Sequence, residues 1–300
     1  MQFTSKNPQY HHLKDKWTNK HKSIQNKLWD AHSESLNWLA KNIPAKHIAA
    51  GSLSGLMFLG SPSGLSLPQP HLISSNQDLA NGVDKNVFLA SQLQEKVPTE
   101  MRTLMSEEEK DISKLLSDSF GFTVTPEINH IRLNRSYGLI GGEQHLYRYP
   151  GDNVYKHADV SSDWVMFGDS GIAPGLGAWG YFAPSEAQFT NEDKLRERYY
   201  IAVQTFLAPG FAEHVAVYRD FFKYRKMLLV NPTTGLAVVT DIADAGPAEY
   251  TGKHLGGSPE VMHFLGLAGG PRKGAVLYFF IDDPENNIPL GPINVPSKQT

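Results

Sequence analysis

From Phe122 onward the chain is a succession of short apolar runs set between turn signals. The runs are "FTVT", "DWVMF", "YYIAVQTF", "KMLLV", "LAVVTDI" and "AVLYFFI", rich in β-branched and aromatic residues. Between them stand "YPGD", "APGLG", "NPTTG" and "DAGP". Runs of this length and composition, broken by Gly and Pro, predict strands. Helical spacing interrupts them around 185–198, where Thr190 with Asp193 marks a start, and in "GFAEHVAVYRDFF". Further upstream, Ser106 with Glu109 reads as a capping box. Ile112, Leu115 and Leu116 share one face behind it, and Gly121 closes the helix. The fold class is therefore mostly β with a few helices, the β domain spanning about 122–293 and a tail covering 294–300.

The first 121 residues have a different texture. Trp17, Ile24, Leu28, Ala31 and Trp38 recur at helical spacing among lysines. This predicts either a solvated helix or tail, or a basic amphipathic helix on an anionic membrane surface. From Ile48 to Gly60 the chain is uncharged, small and apolar, the length of a signal-peptide core rather than of a full span. Residues 47–68 are thus expected to be an export signal or membrane anchor, the alternative being a buried helix followed by a loop. Residues 1–46 form a basic segment, cytoplasmic under the positive-inside rule. Residues 69–121 divide into a polar linker and the helix that Ser106 begins.

Charge sharpens this division. The formal net charge of −3 hides +5 on residues 1–46 and −8 on the rest. An acidic body argues against nucleic acid as its partner, and the basic head favours an anionic surface. With no cysteine in the chain, disulfides, thiolate nucleophiles and thiolate metal sites are excluded. No His spacing suggests ligation, so neither a metal nor another cofactor is expected.

The candidate chemistry lies in "KMLLVNPTTGLAVVTDIADAGP". Met227–Val230 and Leu236–Ile242 read as two strands joined by a turn, Gly235 supplying a positive φ before the second. Gly246 and Pro247 end the pairing, which puts Asp244 at a strand mouth. Asp241, three residues earlier, is expected on the opposite face and solvated.

The order of these features resembles the RlpA-like double-psi β-barrel, the superfamily that includes expansins and some lytic transglycosylases. Val230, Asn231 and Gly235 of the turn carry the resemblance, with Val238, Val239, Asp244, Gly246 and Pro247. Gly252 and the helix Ser258–Gly266 follow. Close likeness covers about 226–267, "GAVLYFFI" extends it to 281, and "GAWGYFA" (177–183) is weakly similar to the first strand. The resemblance implies a polysaccharide groove faced by Asp244, with Asp241, Glu249, Tyr250 and His254 as substrate-binding candidates. It implies a cell-envelope protein, its body outside the cytoplasm, acting on peptidoglycan. There Asp244 would serve as general acid and base of a lytic transglycosylase. A departure accompanies this: where many members place a second acid, this chain reads Gly256-Gly257-Ser258. A glycan-binding or structural barrel without catalysis is the alternative.

Two other stretches carry candidate chemistry. Gly168-Asp169-Ser170-Gly171 resembles a serine-hydrolase nucleophile loop, with His145 or His157 as base. Glu143, His145, Tyr147, Arg148 and Tyr149 form a dense polar and aromatic stretch, either groove-lining or a loop packed over the barrel.

Overall fold

The computed structural model describes residues 85–296, within a unit spanning Ile73–Thr300. The basic head, the signal or anchor segment at 47–68 and the last four residues of the tail lie outside the described residues. Among those described, no helix is long and apolar enough to cross a membrane.

Two helices come first, α1 (Lys85–Lys96) and α2 (Ser106–Phe120). The polar composition of 61–100 predicts a linker, but α1 buries Leu89, Ala90 and Leu93 along one face. Helix α2 starts one residue earlier than the capping signal suggests. Met105 is its N-cap, and the side chain of Glu108 accepts the Met105 N–H at 2.8 Å. Glu109 instead turns inward, taking Arg132 at 2.9 and 2.8 Å and the Ser136 hydroxyl at 2.6 Å. Gly121 ends the helix in the left-handed region, as expected.

Short strands β1 (Val124–Thr125), β2 (Glu127–Ile128) and β3 (Ile131–Arg132) lead into β4 (Tyr137–Gly142). A long covering segment follows, holding α3 (Ser161–Phe167), and then come α4 (Asn191–Arg198), β5 (Tyr200–Val203) and α5 (Val215–Phe222). The remainder is β6 (Lys226–Val230), β7 (Ala237–Ala245), β8 (Leu255–Gly257), α6 (Pro259–Phe264), β9 (Lys273–Ile281) and β10 (Gly291–Ile293). Helix α4 begins as predicted. Thr190 Oγ1 accepts the Asp193 N–H at 3.1 Å, and Asp193 returns a bond to the Thr190 N–H at 3.0 Å.

Six of the strands close into a barrel, in the order β9-β4-β8-β5-β7-β6 and back to β9. The pairs β4–β8 and β5–β7 are parallel and the other four antiparallel. Its interior is filled from every strand: Ile140, Ile201, Met227, Leu229, Val238, Ile242, Leu255, Val276 and Phe280 meet there. Outside, Leu228, Val230, Val239, Leu277 and Phe279 pack under Leu89, Leu93, Ile112 and Leu116 of α1 and α2. Strands β6, β7 and β9 are therefore covered on both faces. That is why "KMLLV", "AVV" and "AVLYFFI" are continuously apolar rather than alternating.

Two expectations about strands are corrected. "DWVMF" belongs to helix α3, with Val165 and Met166 exposed. Five residues are too few for its period to show. "GAWGYFA" contributes no strand, only an isolated Gly177–Gly180 bridge, and the first barrel strand is "YGLIGG" of β4.

The turn between β6 and β7 has the expected chemistry. Gly235 takes φ 73°, and its N–H donates to the Asn231 carbonyl at 2.8 Å. The Asn231 amide also donates to the Leu265 carbonyl at 2.9 Å, tying the turn to the end of α6.

Candidate functional site

Strand β7 carries both aspartates, and a bulge decides where they point. Ile242 pairs with Ile201, but Asp244 pairs with Ala202, so Ala243 is the extra residue. Two residues apart would share a face and three would not; the bulge returns Asp244 to the same outer face as Asp241. Asp241 is not solvated. It is 1% exposed, and among the described residues neither oxygen has a hydrogen-bond partner and the nearest cation is Arg196 Nε at 3.9 Å. Burial drives its carboxyl well above the usual range, with Arg196 opposing. The physical reason is α4 and the 286–290 loop, which line a cleft of about 250 Å³ over it.

Asp244 is half-buried. Its Oδ1 accepts the N–H groups of Ala178 and Ala245, each at 2.8 Å, so this oxygen caps the strand end. Among the described residues Oδ2 takes part in no hydrogen bond. Burial raises the Asp244 carboxyl; the two N–H bonds oppose, and the charge of Glu143 adds to the rise.

A cross-strand row connects these acids. Asp244 pairs with Ala202, Ala202 with Gly256, and Gly256 with Gly141. Neighbouring strands lie about 4.8 Å apart, so the Gly256 backbone is about 10 Å from that of Asp244. The row is floored by small residues, and Glu143 lies over it. A Cβ on Gly256 would stand 2.3 Å from Glu143 Oε1. Lys253 holds that carboxylate at 2.6 Å, its own chain crossing Gly141. A carboxylate from the start of the covering segment thus stands above Gly256, at the step where the sequence lacks an acid.

The remaining candidates are placed as follows. Glu249 and Tyr250 occupy an exposed turn, Tyr250 at 93% exposure. His254 is engaged on both ring nitrogens, Nδ1 by the Leu139 N–H at 2.9 Å and Nε2 by Arg135 at 2.8 Å. Burial and Arg135 lower its pKa. Ser170 Oγ accepts from Arg272 at 2.9 Å, and neither His145 nor His157 bonds to it. A cleft of about 530 Å³ is lined by Trp179, Arg219, Asp220 and Lys223 and reaches Ala178, whose N–H Asp244 accepts.

Sequence reasoning missed a second constellation, sealed beneath the covering segment. His145 Nδ1 lies 3.1 Å from Glu197 Oε1, and His157 Nδ1 lies 3.2 Å from Glu197 Oε2. His157 Nε2 meets Asp152 at 2.9 Å, and Arg148 clamps Asp152 through Nε and Nη2, both at 3.1 Å. Burial would lower His157, but its bonds to Asp152 and Glu197 outweigh that and push it up to about 9. Burial would raise Glu197, yet the two histidines hold it down to about 2. Glu260, buried and close to the Glu197 charge, is raised to about 8. The six side chains come from positions 145 to 260, so no local motif announces them.

No protein-family model, curated protein or solved structure matches this chain.

Proposed function

We propose that the chain is a cell-envelope protein acting on polysaccharide, its barrel of the RlpA-like double-psi type. In this reading it cleaves peptidoglycan glycan strands with Asp244 as general acid and base. The order of turn, second strand, "DAGP" and short helix supports the family reading. So do the closed six-stranded ring and its two parallel pairings. The observation that carries the chemistry is Asp244 itself: one oxygen fixed by two N–H groups, the other free, and the carboxyl raised.

A raised carboxyl keeps its proton nearer neutrality, which general-acid catalysis needs. Oδ2 donates that proton to the bridging glycosidic oxygen as the bond to the anomeric carbon breaks. The resulting carboxylate then takes the proton of the muramyl C6 hydroxyl, whose oxygen closes on that carbon. No water is consumed, and one acid suffices where ordinary glycosidases use two. Glu143, nearby over Gly256, adds negative charge that favours both the protonated Asp244 and the developing cation.

The second reading is glycan binding without cleavage. Tyr250, almost fully exposed beside the Asp244 loop, favours it, since such a ring stacks on a sugar face. Digestion of purified peptidoglycan with the full chain and with Asp244→Asn separates the two. Anhydro-muropeptides seen by mass spectrometry and lost in the variant support cleavage; products undiminished in the variant remove Asp244 as the acid. Co-sedimentation without products favours binding, and neither result leaves a structural envelope protein. The same reading fastens the chain to a membrane through residues 47–68 with the barrel outside. Protease treatment of intact cells that digests the N-terminal segment and spares the barrel would reverse that orientation.

A further inference from the structure

We propose that His145, His157 and Glu197 are the protein ligands of a buried divalent-metal site, zinc by their chemistry, that fastens the covering segment to the barrel. The three ligand atoms lie within 4.8 Å of one another, and the side chains are 1%, 2% and 4% exposed. They come from three separate places: the stretch after β4, the turn Val154–His157, and the last turn of α4 just before β5. Two imidazoles and a carboxylate suit zinc, with bonds of about 2.0–2.2 Å.

The surroundings are those of a ligand set. A metal-bound histidine is oriented by a carboxylate on its other ring nitrogen. His157 has that arrangement in Asp152, which is itself held by Arg148 and by the N–H groups of Arg148 and Asn153 at 3.0 and 2.9 Å. With Nε2 turned to Asp152, Nδ1 is the ring atom that faces Glu197. His145 turns its Nδ1 to the other oxygen of the same carboxylate, and its Nε2 is buried without a partner among the described residues.

Glu260 Oε1 is 3.8 Å from Arg198 Nε, and among the described residues its Oε2 is buried with no partner. Two imidazoles aimed at one carboxylate supply either protons or one shared ion, and zinc releases those protons as it binds. Both Glu197 oxygens and the two imidazoles would together supply four ligand atoms, the closed set of a structural zinc site.

The test uses the full chain expressed with zinc and desalted. Elemental analysis is expected to find about one zinc per chain. Stripping with a chelator is expected to lower the thermal midpoint by at least about 5 °C, restored by added zinc. Cobalt added to the stripped chain is expected to show the visible bands of a four-coordinate ion. Glu197→Gln and His145→Gln are each expected to abolish metal retention. The proposal is overturned if the wild-type chain holds no stoichiometric metal and neither zinc nor cobalt shifts its midpoint. It is equally overturned if the variants retain zinc as wild type does.

Discussion

The Glu143 carboxylate occupies the space above the Gly256 backbone, where a Cβ would come within 2.3 Å of both its Cγ and its Oε1. Gly256 lies in β8 and Glu143 directly follows β4, its parallel neighbour, yet one supplies only room and the other fills it. Gly256→Ala is therefore expected to push Glu143 off Lys253 and to cost about 1–2 kcal/mol. Urea midpoints of the two single variants and of Gly256→Ala with Glu143→Ala give the check. The double variant is expected to recover part of the loss, since the clash goes with the side chain.

Gly235 meets a harder obstacle. A Cβ there would lie 1.9 Å from the Asn86 carbonyl oxygen, at a φ of 73° that disfavours any side chain. Backbone atoms cannot swing aside as Glu143 can. Gly235→Ala is expected to cost about 2–4 kcal/mol. Amides of Leu89 to Leu93 in α1 should lose hydrogen-exchange protection before those of β6 and β9.

Asn231→Ala removes the donor to the Leu265 carbonyl and the acceptor of the Thr233 N–H, 2.9 and 3.0 Å respectively. A loss of about 1–3 kcal/mol is expected. Asn231→Asp keeps the acceptor but not the donor, and its thermal midpoint should fall between those of Ala and wild type.

Asp241 gives a pH dependence with a definite sign. Its folded-state pKa is raised above that of the unfolded chain, so the native state binds the extra proton. Stability is greatest below the unfolded value, near 4, and falls as pH rises from there toward the folded value. Asp241→Asn is expected to match wild type near pH 4 and to exceed it by about 1–3 kcal/mol at pH 7. Denaturation curves at several pH values test this; equal midpoints at pH 7 would contradict it.

The β6–β7 hairpin was legible because each strand is buried on both faces, and because Asn231 and Gly235 have the backbone roles their chemistry predicts. Helix α4 was legible from Thr190 and Asp193 alone. Strand β4 was hidden by its glycines, which read as loop but leave space for Lys253 and its neighbours. The placement of Asp241 failed at Ala243, because a bulge has no signature in residue type and reverses every face after it. The cluster of His145, Asp152, His157, Glu197 and Glu260 was illegible for another reason: its order in space is set by how the covering segment folds back, not by spacing along the chain. Glu143 stood in the sequence as one polar residue among several, and only the bare Gly256 beneath it gives it a place.

The ring of six strands is plugged by its own side chains and has no gap between first and last members. A cylinder sealed in this way works as a chassis. Nothing passes through it, so a ligand can meet only its exterior. The stretch from Glu143 to Ala183 adds no strand to the cylinder, so the pairings of the ring do not depend on it.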